Sequence, residues 1–181
     1  MSTMNTYTGR KFDPMTITPA DIDGLDIAHA LSMMCRGNGH LRRFYSVAQH
    51  SLNCAREAQA RRFDRRTVLA CLLHDASEAY IADIIRPVKE HLPNYMEIES
   101  AVMEAVFARF GLSDLDEEEH AAWKLIDDDL LETELHALLP GEEERVPVPL
   151  MSEPDLAEYS CRQIEHEFLE MLEELINREW R

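Results

Sequence analysis

Apolar positions recur along the chain at intervals of three and four residues, and no stretch alternates with period two for long enough to make a strand. The pattern predicts an all-α fold. Thr18-Pro19-Ala20-Asp21 offers an N-cap, a proline at N1 and an acid at N3, so a helix is expected from about Pro19 toward Met34. Gly37, Asn38 and Gly39 then make a flexible loop with Arg36 and His40 at its ends. Ser46-Val47-Ala48-Gln49 has the capping-box pattern and opens a helix reaching Arg62. A third helix is expected from Arg65 to Ala82, stopped by Arg86-Pro87, because proline cannot donate to a continuing helix and restricts the residue before it.

A fourth helix spans Tyr95 to Phe110 and ends at Gly111, a suitable C′ residue. The acidic run Asp114 to Glu119 suits the positive end of a helix dipole and opens a fifth, extending to Leu139 before Pro140-Gly141. The last helix starts near Ser152-Glu153-Pro154-Asp155 and runs toward Arg178. Its stripe of Ile164, Phe168, Met171, Leu172 and Leu175 suits packing on its own core ahead of a second subunit. Gly141 to Pro149 reads as a polar, proline-containing loop. Residues 1–17, with Tyr7-Thr8-Gly9-Arg10, form an extended arm or small hairpin ahead of a helical core over 18–181, all in one domain.

Composition adds constraints. A length of 181 residues suits one core. No apolar run approaches the roughly 18 residues of a membrane span. The first eleven residues lack an apolar signal-peptide stretch, and Cys35, Cys54, Cys71 and Cys161 are scattered without CxxC spacing, which together predict a cytoplasmic protein with reduced thiols. The formal charge of −17 opposes binding to a nucleic-acid polymer, since no Lys/Arg cluster interleaved with aromatics offsets it. A small anion remains compatible, because a divalent cation and a few arginines reverse the potential within one pocket.

His74 and Asp75, within Leu72-Leu73-His74-Asp75-Ala76-Ser77-Glu78, are the candidate chemistry. On one helix turning about 100° per residue, His74, Glu78 and Asp75 fall near about 0°, 40° and 100°, so Glu78 projects between the other two. An imidazole beside a carboxylate suits a borderline divalent metal, and a further carboxylate can handle protons. Asp127 has Trp123, Leu130, Leu131 and Leu138 as helical neighbours and therefore points into an apolar stripe, where a carboxylate needs a cation. Asp128 and Asp129 rotate away as solvated acids. His50, on the inward side of its helix with Val47, Cys54 and Ala58, suits either a ligand or a core histidine bonded to backbone. Together His50, His74, Asp75 and Asp127 make a four-ligand set of nitrogen and oxygen donors suited to Mn, Co, Fe, Ni or Zn.

These residues, with Ser46-Val47-Ala48-Gln49-His50-Ser51, Asp83 and Pro87-Val88-Lys89, resemble the HD-domain phosphohydrolase superfamily, and within it the bacterial 5′-deoxynucleotidases and related small nucleotide hydrolases. The resemblance covers about Asp26 to Leu135. It implies one divalent metal on His50, His74, Asp75 and Asp127, Glu78 as general acid/base, and Asp83 as a second group positioning water or the leaving oxygen. It further implies phosphate binding by Arg36, with Arg86 and Lys89 as additional phosphate contacts or surface charges. The family's aromatic sugar-recognition residue beside that arginine has no match, since Met33, Met34 and Cys35 precede Arg36. The implied reaction is hydrolysis of nucleoside or deoxynucleoside 5′-monophosphates. Triphosphohydrolysis of deoxynucleoside triphosphates and a non-catalytic nucleotide sensor are the other readings, and the resemblance also allows a homo-oligomer.

Overall fold

In the computed structural model, which describes residues 3–177, helices account for nearly all regular structure and the all-α expectation holds. The arm is a small hairpin. β1 (Met4–Asn5) pairs antiparallel with β2 (Lys11–Phe12), with Met4 opposite Phe12 and Asn5 opposite Lys11. Its tip is held to the helical body by Thr8, whose N–H and hydroxyl donate to the buried Asp26 carboxylate at 2.7 and 2.9 Å.

Helix α1 (Gly24–Met33) begins five residues later than its sequence suggests. The Thr18-to-Asp21 capping chemistry is used within a turn, where Thr18 N and Oγ1 both donate to Asp21 Oδ2. Asp23 caps the helix by accepting from Leu25 N. A Cβ at Gly24 would lie 2.8 Å from Leu172 Cδ2, so glycine here permits close packing of α1 on the last helix.

Helix α2 (Val47–Ala60) is capped by Ser46, which accepts from Gln49 N at 3.2 Å, and helix α3 (Arg65–Leu73) by Asp64. The two pack extensively together, and α2 is buried along most of its length. The expected helix to Ala82 is broken. α3 stops at Leu73, residues 74–77 are turns, and a short α4 covers Glu78–Ile81. The backbone at His74 and Ser77 stays right-handed, but bonds now run three residues back, from Ala76 N to Leu73 O and from Glu78 N to Asp75 O. This tighter winding replaces the regular helical arc over His74, Asp75 and Glu78. The chain leaves α4 through Ala82 at φ 83°, ψ 154°, a conformation normally reserved for glycine, with its carbonyl accepting from the Tyr95 hydroxyl at 2.6 Å.

Helices α5 (Arg86–Lys89), α6 (Pro93–Arg109) and α7 (Glu117–Leu138) follow. α7 has a reciprocal capping box between Asp116 and Glu119. α8 (Cys161–Asn177) packs on α1, α2 and α3, burying Ile164, Phe168, Leu172 and Leu175 in the core as the stripe requires. It begins later than expected because the capping pattern at 152–155 bonds to α2 instead; the expected end at Arg178 lies outside the described residues. Gln49, Asn53 and Glu57, at i, i+4 and i+8 on α2, form a polar row against the main chain of 151–157. Gln49 Nε2 donates to Ala157 O at 2.8 Å, and Asn53 exchanges bonds with the backbone of Asp155 at 2.9 and 3.1 Å. Among the described residues, no helix is long and apolar enough to cross a membrane.

Glu57 closes that row. Its fully buried carboxylate accepts from Met151 N, Ser152 N, Ser152 Oγ and Arg61 Nε at 2.5 to 2.9 Å. Burial opposes its charge, but these donors outweigh it and hold the group below its ordinary 4.5. A depressed folded-state value contributes stability that is present above 4.5 and lost as pH falls from there through the folded value. The Met151 and Ser152 amide resonances are therefore expected to move together below pH 4.5, and to lose that acid response in Glu57→Gln.

Candidate metal centre

Four side chains converge where α2, the end of α3 and the middle of α7 meet. His50 is in the first turns of α2, His74 follows the last residue of α3, Asp75 is next in the turn, and Asp127 comes from α7. His50 Nε2 lies 3.2 Å from His74 Nε2, 3.0 Å from Asp127 Oδ1 and 3.9 Å from Asp75 Oδ2. His74 Nε2 lies 3.3 Å from Asp75 Oδ2 and 3.6 Å from Asp127 Oδ1. Metal bonds of about 2.0–2.2 Å to imidazole and carboxylate put neighbouring ligand atoms about 3 Å apart. The observed separations fit.

The outer ring atoms show why. His50 Nδ1 is 2.7 Å from Glu134 Oε1, and His74 Nδ1 is 2.8 Å from the Cys71 carbonyl; both oxygens only accept, so both Nδ1 atoms donate. In the neutral rings, the two Nε2 lone pairs then face one another beside two carboxylates. Such an arrangement attracts a cation. Burial lowers the proton affinity of His74, but Asp75 and Asp127 reverse this and raise it well above the ordinary histidine value. For His50, burial and Arg36 oppose the proton, while Glu134 and Asp127 leave it raised overall. Asp75 and Asp127 are held well below the carboxylate range: burial works against their charge, and the facing histidines outweigh it.

His50, Cys54, His74 and Asp127 present ligand atoms within 4.8 Å of one another, a set that can hold a metal ion. Cys54 is an addition to the sequence-derived set, and its i+4 spacing from His50 was the available signal. Its Sγ lies 3.5 and 3.9 Å from the two ring nitrogens of His50, so it is not aligned with the Nε2 lone pair. Asp75 borders the cluster, with Oδ2 3.3 Å from His74 Nε2 and 3.9 Å from His50 Nε2.

Around this cluster, Arg36 is mostly buried, with NH1 3.2 Å from Asp75 Oδ2 and Nε 3.3 Å from Glu134 Oε2. Glu78 is buried, and its Oε2 has no hydrogen-bond partner. Burial, then Asp75 and Asp83, push its proton affinity well above the ordinary value. Asp83 is half-buried and raised too, by burial and then by Asp75, against the pull of Arg36 and Lys89. Arg86 is exposed at the rim, 3.1 Å from Asp128 and 3.9 Å from Asp127, and Lys89 pairs with Glu99 at 2.6 Å beneath the Tyr95 ring. His40 is exposed and closes the 36–39 turn by donating its N–H to Gly37 O.

Two acids of α7 sit differently from what their helical positions suggest. Asp129 is not a solvated acid: it pairs with Arg61 at 2.7 Å and is only 14% exposed. Asp127 lies at the border of the apolar stripe, 22% exposed, rather than within it. The buried stripe is Ala122, Ile126, Leu130, Glu134 and Leu138, with a carboxylate that the sequence reading missed. A charged residue at i+4 spacing among apolar ones was the signal that could have found Glu134. Trp123, whose ring centroid is 5.8 Å from that of His74, is a further half-buried neighbour of the site.

No family model matches the chain. It is similar to the uncharacterized protein YfdR of Escherichia coli K12, 38% identical over 112 residues that cover 62% of this chain and 60% of that protein. It is also similar to an uncharacterized protein of Rhodobacter capsulatus, 43% identical over 110 residues that cover 58% and 56%. The chain thus matches less than two thirds of the length of these curated relatives.

Proposed function

We propose that the chain is a metal-dependent phosphohydrolase of the HD-domain type, acting on small nucleotides and releasing phosphate from nucleoside or deoxynucleoside 5′-monophosphates. The observation carrying this reading is the convergence of His50, His74, Asp75 and Asp127 on one point, with both histidines turned by their outer hydrogen bonds to offer Nε2. A divalent metal of the Mn, Co, Fe, Ni or Zn type bound there supplies Lewis-acid chemistry at a phosphoryl oxygen.

The chain's own groups supply the rest. Arg36 uses NH1 and Nε on Asp75 and Glu134, leaving its other terminal nitrogen for a phosphate oxygen. Glu78 sits in a dry position beside the cluster, where burial, Asp75 and Asp83 favour its protonated form, and its unpartnered Oε2 is the atom we assign to proton exchange with the leaving oxygen. Asp83, just past the end of α4 in a wetter position, orients water or the leaving group. Arg86 and Lys89 add positive charge at the rim once phosphate competes with Asp128 and Glu99 for them.

A nucleotide panel supplied separately with Mn, Co, Ni, Fe or Zn, resolving orthophosphate, pyrophosphate and tripolyphosphate, tests the proposal. Orthophosphate from monophosphates supports it. Tripolyphosphate from deoxynucleoside triphosphates replaces it with the triphosphohydrolase reading, and nucleotide binding without turnover under every metal replaces it with a sensor.

A further inference from the structure

We infer that Glu134 is a positioning residue of the metal centre, holding His50 and Arg36 in place through one buried carboxylate. The inference rests on the metal site, not on the identity of the substrate. Glu134 Oε1 accepts from His50 Nδ1 and from the Tyr45 hydroxyl, both at 2.7 Å, and Oε2 faces Arg36 Nε at 3.3 Å. The carboxylate and two of its partners are deeply buried: Glu134 is 4% exposed, and His50 and Tyr45 are 0%.

An ionised carboxylate inside a protein is costly unless well paired, and an apolar side chain in line with Ile126, Leu130 and Leu138 would complete the stripe without that cost. Stability of α7 therefore does not explain the acid. Its bonding does. A carboxylate on Nδ1 fixes the tautomer and ring orientation of a metal-binding histidine and strengthens its donor nitrogen. Here the same carboxylate also orients Arg36, whose NH1 reaches the ligand Asp75. Glu134 therefore couples a ligand from α2 to the cation that borders the site.

The network extends outward. Asn53 Nδ2 lies 2.9 Å from the Tyr45 hydroxyl and 2.9 Å from Asp155 O, so the main chain at 155 supports the partner of Glu134. His74 has a different support, the Cys71 carbonyl, and serves as an internal control.

The full chain loaded with Co²⁺ provides the test. Proton NMR in water should show two paramagnetically shifted, slowly exchanging ring N–H signals, from His50 and His74. In Glu134→Ala the His50 signal should disappear into solvent exchange while the His74 signal stays, and Co²⁺ affinity should fall about 10- to 100-fold. Glu134→Gln keeps the shape and one acceptor oxygen but turns an amide N–H toward Arg36. It should retain both signals and lose affinity several-fold, and it carries the test if Glu134→Ala does not fold. Melting of the metal-free proteins separates the roles: a purely structural Glu134 would lower melting while leaving the Co²⁺ affinity of the folded fraction unchanged, which overturns the inference. Wild-type protein that binds no Co²⁺ overturns both this inference and the metal reading, whereas Co²⁺ binding without nucleotide turnover leaves the inference standing and removes only the proposed reaction.

Discussion

Glu78→Ala is expected to keep a full equivalent of metal while losing about 10²- to 10⁴-fold in nucleotide hydrolysis, the range typical of a general acid/base. His74→Ala and Asp75→Ala should lose metal together with activity. The distinction follows from geometry: His74 and Asp75 put Nε2 and Oδ2 at the point where His50 and Asp127 also arrive, whereas Glu78 opens α4 and ends in an oxygen bonded to nothing. Glu78→Gln is the sharper variant, because it preserves shape while removing the transferable proton. Metal analysis beside steady-state kinetics on each variant reads both effects. A fully active Glu78→Gln would remove the acid/base assignment, and a metal-loaded His74→Ala would remove the ligand set.

Phe168→Ala should destabilise the protein by about 3–5 kcal/mol in urea unfolding, with catalysis intact at temperatures where the variant remains folded. Phe168 is fully buried on α8, the helix that packs on α1, α2 and α3. Truncation leaves a cavity in tightly packed surroundings, since α8 already approaches α1 so closely that a Cβ at Gly24 would meet Leu172. Ile176→Ala, on the same helix but 44% exposed, should change stability by no more than about 0.5 kcal/mol. Equal effects at the two positions would show that α8 is not held by its apolar stripe.

Much of the fold follows from local patterns that the structure repeats. Ser46 caps α2, α6 ends before Gly111, Asp116 with Glu119 starts α7, and the α8 stripe enters the core. Two of the departures lie where capping residues make other bonds. Thr18 bonds within its own turn, and Ser152 gives its hydroxyl to Glu57 instead of starting a helix. The break after Leu73 has no glycine or proline to mark it. It falls where His74 Nδ1 bonds the nearby Cys71 carbonyl and its Nε2 approaches His50 and Asp127, distant neighbours that no local pattern records.

The same contrast runs through the site. His50, His74, Asp75 and Asp127 were picked out in the sequence by residue type and helical position, and in the structure their nitrogens and oxygens lie 3.0 to 3.9 Å apart across the two histidines. Glu134 was not, because it lies in an acid-rich helix where one carboxylate looks like another. Only burial and its three donors distinguish it. Asp129 misled in the opposite direction: its position suggested solvent, but Arg61 from the end of α2 reaches it.

The polar row of Gln49, Asn53 and Glu57 grips the 151–157 segment almost wholly by its peptide groups. Apart from Ser152, whose hydroxyl also reaches Glu57, the hold depends less on side-chain identity along that stretch than on the pattern of imino acids. Proline occupies positions 147, 149 and 154, and the amides that must donate belong to Met151, Ser152 and Asp155. Descendants of this sequence could rewrite the exposed Val146, Val148 and Met151 without disturbing the hold, yet one proline moved by two residues, from 149 to 151, would open it.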